Sequence, residues 1–474
     1  MDRPSDKVTR SGGAFEPARL GDTLVDAVAD GLAKALAHTL APMEPMDRYR
    51  VAFSGGADSL ALLHALSALR GHLAPARIDA IHVHHGLHPD ADAWADHCQS
   101  VCRRLEVDLA VLRVDARAAS GESPEAAARR ARYQAIADLL NAGEAVCTAH
   151  HQRDQAETLL LQLLRGAGPT GLAAMPPVAP LGRGWLVRPI LDVGPETLRD
   201  YLEGQGIGWV EDPGNADRRF DRNFLRHEIM PKLLERWPGA QRTLARAAGH
   251  QADSIAIADA LARMDLDTAR DPRTGTLSLP ALTALPASRA RNLLRGWLAE
   301  QGLPVAGAVH LQEILDGLVP AREDAMPLVR WPGAEVRRHR DVLHAQAPLP
   351  SHDADRVLPW VPGEALELPH GVLDASLTEG RGLRAAALGG ARVEVRFRRG
   401  GERFRPAGRG RSTALKKLLQ ASDLPPWLRE RIPLVYVDGE LAAVAGMWVA
   451  EAHAVGSRDS GWVLRWSALP DTLA

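Results

Sequence analysis

The segment Ser54-Gly55-Gly56-Ala57-Asp58-Ser59 combines residue types that could hold a phosphate group. Two adjacent glycines allow a sharp turn that points backbone N–H groups at one place, and the start of a following helix adds its positive dipole end. Ser54 and Ser59 supply hydroxyl groups, and Asp58 supplies a carboxylate for Mg2+. No Gly-Lys-Ser/Thr follows, so the segment is not a Walker loop. It predicts a phosphate cradle between a strand and a helix.

A second group of chemically active residues opens another helix. In Ala-His-His-Gln-Arg-Asp-Gln-Ala-Glu-Thr, residues 149–158, Asp154 and Glu157 are three positions apart and therefore share a face near the helix start. Such a pair suits Mg2+, a general base or a pocket for an ammonium group. A charged first turn stabilised by the helix dipole is the purely structural alternative.

Further candidates lie near these two segments. Arg165 belongs to a glycine-rich loop, residues 164–175, that could order over a nucleotide. Arg222, Asn223 and Arg226 follow an acidic, amide-bearing stretch, residues 211–217, on an arginine-rich helix. For His84, packing or a phosphate contact is a better interpretation than metal ligation.

Strand-like and helix-like stretches alternate through this part of the chain. Apolar runs at residues 51–53, 78–84, 109–114 and 144–149 are separated by helical patterns, which predicts an α/β domain with a doubly wound, mostly parallel sheet. Ligands of such sheets bind at the carboxyl ends of the strands. The phosphate segment, His84 and residues 150–157 would all lie on that edge.

Composition sets the broad class of the protein. The 474 residues carry a net charge of −2 and 46% hydrophobic residues, which is ample for packed cores. Cys98, Cys102 and Cys147 cannot form a disulfide framework and their spacing suits no zinc site, so a cytoplasmic location is expected. No apolar stretch is long enough to span a membrane. The Ala-rich first 46 residues lack a signal-peptide core and predict one loose helix near residues 24–40.

The charge balance changes near the carboxyl terminus. Residues 392–431 contain twelve Arg and Lys against four Asp and Glu, with aromatic residues among them. Such a basic stretch is typical of a surface that binds the phosphate backbone of RNA, although a solvated surface is the alternative. The candidates for RNA contact are Arg403, Arg405, Arg409, Lys416 and Lys417.

These motifs together resemble the tRNA(Ile)-lysidine synthase family of the PP-loop ATP pyrophosphatase superfamily. The resemblance rests on SGGxDS, His-Gly-Leu, AHHxxDQxET, RGxGxxGLxxM and EDPxNxDxxxxRNxxR between residues 49 and 231, and on GGExxRPxGR and LKKLLQ further on. The family commonly has two aspartates before the glutamine, where this chain has Arg153-Asp154. A metal role is therefore transferred to Asp58 or Asp154.

The resemblance implies a reaction that joins free lysine to carbon 2 of the cytidine at the first anticodon position of a tRNA(Ile) with a CAU anticodon. ATP is split to AMP and pyrophosphate through an adenylated cytidine, and Mg2+ bridges the phosphates. Residues 54–59, with His84 and Arg165, would bind the nucleotide; Asp58, Asp154 and Glu157 would be catalytic. His151, Arg222, Asn223 and Arg226 would bind lysine or RNA. No membrane or obligate protein partner is expected.

The lysine amine sets a chemical requirement. With a reference pKa near 10.4, only about one molecule in 2,500 is neutral at pH 7, which corresponds to about 4.6 kcal/mol. Desolvation or a nearby carboxylate can offset this cost. Glu157 and Asp154 are the candidate bases, with His151 as a further candidate.

Five segments are predicted. They are an extension (1–46), a PP-loop ATP-binding catalytic domain (47–232), a helical domain (233–346), a linker with short strands (347–388) and a basic, tRNA-binding α+β domain (389–474). Two other functions remain open at this point: a PP-loop tRNA thiolase, for which the cysteines lack suitable partners, and a non-catalytic RNA-binding protein that senses ATP.

Overall fold

The chain forms two compact units that divide within one long helix. The computed structural model describes residues 22–37, 46–86, 88–117, 124–211, 214, 217–304, 306–322, 325–422 and 424–468. Unit 1 ends at Ala256 and unit 2 begins at Ile257, both inside the helix Ala240–Ala269. Among the described residues, no helix combines the length and apolarity needed to cross a bilayer.

Unit 1 is built on a six-stranded sheet with helices between its strands. Its elements are α1 (Thr23–Ala37), β1 (Arg48–Ala52), α2 (Ala57–Ala68), α3 (Arg70–Leu73), β2 (Arg77–His84), α4 (Ala91–Arg104), β3 (Asp108–Arg113), α5 (Pro124–Leu139), β4 (Glu144–Cys147), α6 (Gln152–Leu164), α7 (Pro169–Leu172), β5 (Val178–Leu181), β6 (Gly184–Val187), α8 (Pro195–Gly204), α9 (Asp221–Phe224) and α10 (Met230–Arg236). A π-helical turn, Leu225–Ile229, joins the last two helices.

The strand order β3-β2-β1-β4-β6-β5 places a topological switch beside β1. β1 pairs in parallel with both β2 and β4, and only β5 runs antiparallel. From β1 the sheet is therefore extended toward one edge by β2 and β3 and toward the other edge by β4, β6 and β5. This reversal opens a crevice between the carboxyl ends of β1 and β4. The predicted mostly parallel, doubly wound sheet is confirmed.

The helix near the amino terminus is a core element rather than a loose one. Leu24, Val25 and Val28 of α1 are at most 1% exposed and pack in the same core as β1 and α2. A Cβ atom on Gly31 would lie 1.7 Å from the carbonyl oxygen of Pro189, so the helix approaches the backbone closely there. The prediction of a helix is correct, but its looseness is wrong because one of its faces is apolar.

Unit 2 contains short helices and several small antiparallel sheets. After α11 (Ala240–Ala269) follow β7 (Leu277–Ser278), α12 (Leu279–Thr283), α13 (Ala287–Glu300), α14 (Ala308–Glu313), β8 (Leu328–Trp331), β9 (Ala334–His339), β10 (Val342–Gln346), β11 (Val357–Pro359), β12 (Leu366–Leu368), β13 (Gly371–Glu379), β14 (Leu383–Arg384), β15 (Val393–Arg396), β16 (Arg403–Phe404), β17 (Thr413–Ala414), α15 (Leu415–Ala421), α16 (Pro426–Arg429), β18 (Leu434–Val437), β19 (Glu440–Val444), β20 (Trp448–Val449) and β21 (Ser460–Trp466). A second π-helical turn, Ile314–Leu318, follows α14.

Two features of unit 2 add to the sequence-based description. The predicted helical region carries a four-stranded sheet, β7-β10-β9-β8, which packs on α13 around the buried Trp297. Residues 347–388, predicted as a linker with short strands, contain β11 to β14. Because β11 pairs with β15 and β13 pairs with β21, this segment is part of the carboxyl-terminal sheets.

Candidate active site

The phosphate segment forms a tight turn between β1 and α2. Gly55 has φ +85°, and a Cβ atom there would lie 3.2 Å from Cys98 Sγ of α4, so both conformation and space favour glycine. Ser59 Oγ accepts the backbone N–H of Ser54 and donates to the Gly56 carbonyl. In this described segment no side chain caps α2, so the N–H groups of its first turn face outward as donors for an anion.

His151 connects the turn to α6. It follows β4, its side chain is fully buried, and its Nε2 lies 3.4 Å from Asp58 Oδ2. Its Nδ1 lies 3.5 Å from Asp154 Oδ2, which also accepts the backbone N–H of His151 at 3.0 Å. The ends of β1 and β4 therefore converge, as the predicted sheet edge requires.

The two carboxylates of α6 are held by two arginines. Arg222 donates through Nη2 to Asp154 Oδ1 and through Nε to Glu157 Oε2, both at 2.8 Å. Arg226 donates through Nε to Glu157 Oε1 at 2.7 Å and through Nη2 to Asp154 Oδ1 at 3.2 Å. Arg226 lies in the π-helical turn, whose extra residue per turn alters the spacing of its side chains relative to an α-helix.

Arg153, which directly precedes Asp154, faces this network. Its Nε lies 3.8 Å from Glu157 Oε1, one helical turn along. Burial lowers the pKa of Arg153, and the neighbouring charge of Arg226 lowers it further. Arg153 is therefore a third cation beside Glu157.

The electrostatics keep the aspartates ionised and one histidine neutral. Burial raises the pKa of Asp154, but its interactions with His151 and Arg222 outweigh burial and hold that pKa well below its usual range. Burial also raises the pKa of Asp58, where the contact with His151 prevails and the net shift is downward. Burial lowers the pKa of His150 to about 3, so its ring is uncharged at neutral pH.

The glycine-rich loop is tied to the same helix. Gln155, which is buried, donates through Nε2 to the Met175 carbonyl at 2.8 Å and accepts the Met175 N–H through Oε1 at 2.9 Å. Arg165, at the start of the loop, is exposed. The loop is thus anchored at one end and carries an exposed cation at the other.

Two other predicted residues have local partners. The ring of His84 is buried and its Nε2 lies 3.1 Å from Asp92 Oδ1. Asn223 donates through Nδ2 to the carbonyls of Gly214 and Asp217, which braces the loop before α9. In this conformation both side chains serve the local structure.

The predicted RNA-binding residues are all exposed in unit 2. Lys416 and Lys417 lie on α15, whose other face buries Leu415, Leu418 and Leu419. Arg403, Arg405 and Arg409 lie in or beside the β16–β17 hairpin. Arg403 donates to the Ser412 carbonyl and Arg405 to the Arg409 carbonyl, so these two guanidinium groups keep further N–H groups for a ligand.

Comparison with known proteins agrees over nearly the whole chain. Models described as a PP-loop domain, a TilS substrate binding domain and a TilS substrate C-terminal domain match residues 29–233, 277–344 and 393–466. The tRNA(Ile)-lysidine synthase of Methylococcus capsulatus is 43% identical over 431 residues, 90% of this chain and 98% of that protein. Those of Alkalilimnicola ehrlichii and Coxiella burnetii are 44% and 40% identical, over 88% and 87% of this chain and 94% and 91% of those proteins.

The chain belongs to the tRNA(Ile)-lysidine synthase family. The predicted family, its PP-loop domain and an ATP-using ligase are confirmed. The thiolase and the non-catalytic alternatives are not favoured by any of these matches. The roles of individual residues stay predictions.

For this member of the family, the sequence analysis missed two kinds of site residue. Gln155 lies in a motif whose neighbouring residues are mostly polar, so its sequence context does not distinguish it, although buried amides are normally hydrogen-bonded. Arg188 directly precedes Pro189, and no motif in the sequence assigns it a role. In the structure its side chain is 7% exposed.

Proposed function

We propose that this protein joins free L-lysine to carbon 2 of the cytidine at the first anticodon position of a tRNA(Ile) with a CAU anticodon. Membership of the tRNA(Ile)-lysidine synthase family supports the reaction. The observation that carries the site assignment is the pair of contacts made by His151, to Asp58 of the phosphate loop and to Asp154 of α6. They join a nucleotide-binding element to a carboxylate cluster that suits an amine.

The first step adenylates the base. The cytidine O2 attacks the α-phosphorus of ATP, an O–P bond forms, and pyrophosphate leaves. N–H groups at the start of α2, with the hydroxyl of Ser54, stabilise the charge that develops on the departing pyrophosphate, and Ser59 holds the turn that presents these donors. Arg165 lies on the exposed end of the glycine-rich loop and is the candidate to cover the nucleotide.

Mg2+ fits Asp58 better than Asp154. Asp154 Oδ1 already contacts two guanidinium groups and its Oδ2 accepts a backbone N–H, whereas the side chain of Asp58 is 40% exposed. Among the described residues there is no cluster of three or more His, Cys, Asp or Glu that could form a complete protein cage. Mg2+ is usually coordinated by one or two carboxylates together with substrate phosphates and water, which agrees with this arrangement. The ion would neutralise phosphate charge.

The second step needs a neutral lysine amine. The amine attacks carbon 2, the C2–O bond to AMP breaks, and the amine gives up a proton. Glu157 remains the preferred acceptor or binding group for this amine, because the depressed pKa of Asp154 makes that carboxylate a weaker base. Since Arg222 and Arg226 occupy both oxygens of Glu157, lysine must displace one of these contacts.

The exposed cations of unit 2 supply the RNA contact in this proposal. Arg403, Arg405, Arg409, Lys416 and Lys417 would neutralise backbone phosphates, which carries no base specificity by itself. We also infer a cytoplasmic location, which is supported by three buried, unpaired cysteines.

The test incubates the purified protein with ATP, radiolabelled lysine and total tRNA. We expect label in one tRNA species, with pyrophosphate released only when tRNA is present and AMP released only when both tRNA and lysine are present. Sulfur incorporation instead of lysine, or pyrophosphate release without tRNA, would contradict the proposal.

A further inference from the structure

Arg188 is a buried cation with little local compensation. It directly follows β6 and is 7% exposed. Its Nη1 donates to the Pro176 carbonyl at 2.6 Å, and its side chain hydrogen-bonds Tyr133 of α5. Its Nε is buried with no hydrogen-bond partner. Within the part of the chain that the structure describes, Arg188 forms no ion pair with a carboxylate.

Arg50 of the same unit shows the usual arrangement for such a group. It is 8% exposed, yet its guanidinium lies 3.1 Å from Glu144 Oε1 and 3.5 Å from Asp79 Oδ2. Buried charges are normally paired in this way, because removal from water is costly without a counter-ion. Arg188 departs from that pattern at similar burial.

The surroundings of Arg188 are cationic rather than acidic. Arg129 lies with its guanidinium carbon 4.9 Å from the ring centroid of Tyr133, the residue that also bonds Arg188. Besides the carboxylate of Asp154, the charges of Arg188, Arg222 and Arg129 all act on the neutral ring of His150. Arg222 is neutralised by Asp154 and Glu157, but the described residues offer Arg129 and Arg188 no such carboxylate.

We propose that Arg188 and Arg129, held by Tyr133, form a second anion subsite that receives a phosphate group of a substrate. Two cations with no carboxylate of the described residues between them match the charge of a phosphate, and guanidinium groups bind its oxygens in pairs. The phosphate belongs either to the nucleotide or to the RNA backbone beside the target cytidine. The inference rests on the proposed function, since both sources are its substrates.

The first experiment separates this subsite from the phosphate loop. Inorganic phosphate is titrated into the full-length Ser59→Ala variant, which weakens the loop, and into Ser59→Ala/Arg188→Gln, with the melting temperature as readout. We expect a phosphate-dependent rise in the first protein and its loss in the second. An equal rise in both overturns the subsite. Unchanged ATP binding in Ser59→Ala alone would instead count against the loop assignment, so the two failures differ.

The second experiment identifies the source of the phosphate. We compare wild type and Arg188→Gln for binding of α,β-methylene-ATP, and for binding of tRNA(Ile) across a salt series. Removal of a charge-assisted hydrogen bond should weaken one of them about tenfold. A change only for the nucleotide assigns its phosphates, and a change only for tRNA with a shallower salt slope assigns the RNA backbone. Both unchanged, or a change only in KM for lysine, overturns the proposal.

A milder variant guards against a folding defect. Tyr133→Phe removes the hydroxyl that holds Arg188 and keeps the aromatic ring under Arg129. It should weaken the same ligand by a smaller factor, about threefold, with KM affected and kcat largely retained. If Tyr133→Phe binds phosphate, nucleotide and tRNA as wild type does, then Tyr133 does not hold the subsite and the proposal as stated is wrong.

Discussion

Arginine has different surroundings in the two units of this protein. Arg222 and Arg226 are largely buried, and carboxylates of α6 occupy their guanidinium groups. Arg403, Arg405 and Arg409 are exposed, and those with hydrogen bonds use them on backbone carbonyls. A buried, paired arginine fixes the position of an acid, whereas an exposed one is screened by salt and remains open to a mobile anion. Position and partner, rather than residue type, separate the arginines proposed for the chemistry from those proposed for the RNA contact.

The largest expected effect tests whether the chemistry resides in unit 1 alone. Asp58→Ala should lower AMP formation on the order of a thousandfold, because the site would lose the carboxylate proposed to hold Mg2+ at the phosphates. tRNA affinity should stay within about twofold, since backbone contacts dominate it. Single-turnover AMP release and filter binding measure the two quantities. Asp200→Asn, an exposed carboxylate on α8, is the matched control. A comparable loss of tRNA affinity would contradict the assignment of the chemistry and of tRNA binding to different units.

The next effect asks what the paired carboxylates do. Glu157→Gln should slow the lysine step about a hundredfold more than adenylation, because the amide cannot accept the amine proton. Adenylated tRNA should then accumulate and can be followed with ATP labelled at the α-phosphate. Glu203→Gln, exposed on α8, should behave as wild type. Loss of adenylation itself would move Glu157 to the nucleotide site.

A smaller effect tests the exposed side of the comparison. Lys416→Ala/Lys417→Ala should weaken tRNA binding roughly tenfold at low salt, and the slope of log affinity against log salt should become shallower by about 0.7 to 0.9 for each phosphate that is no longer neutralised. Lys34→Ala, which removes an exposed charge from α1, should change neither. An unaltered slope would remove α15 from the RNA footprint. Point substitutions are preferable to truncation at residue 392, since β11 and β13 pair with strands beyond it.

The smallest effect concerns the neutral histidine among the cations. The pKa of His150 is lowered to about 3 in the folded chain, below the unfolded value near 6.5, so the unfolded state binds a proton first. His150 therefore reduces stability as pH falls through about 6.5, and His150→Asn should flatten the melting temperature between about pH 7 and 5. His72→Asn, an exposed histidine, should not. A steeper decline in His150→Asn would mean that the ring is charged when folded.

Local sequence was sufficient to predict unit 1. Strand, turn and helix follow one another within about twenty residues around Ser54, and parallel-sheet rules then bring residues 54–59 and 150–157 to one edge. The contacts of Arg222 and Arg226 with α6 could not be deduced in the same way, because 65 to 72 positions separate the partners along the chain. The sequence offered both sets as candidates but not their pairing.

Unit 2 was harder for the same physical reason. β13 pairs with β21 across more than eighty residues, and most of its strands are four residues or fewer, too short for a clear alternation. In β8, the buried residues Val329 and Trp331 alternate with exposed ones, but this alternation extends over only four residues. The basic stretch was recognisable because charge density, unlike strand pairing, is a local property.

The Cys98 thiol lies next to the space that a side chain on Gly55 would fill, so its reactivity can report on the phosphate turn. Cys98 is fully buried, and burial raises its pKa to about 12, so it resists alkylating reagents while α4 stays packed. Modification can proceed only through transient opening of the region beneath the phosphate turn. The rate of Cys98 modification would therefore measure how often that region opens. A nucleotide that holds the turn closed would lower this rate without contacting the sulfur atom.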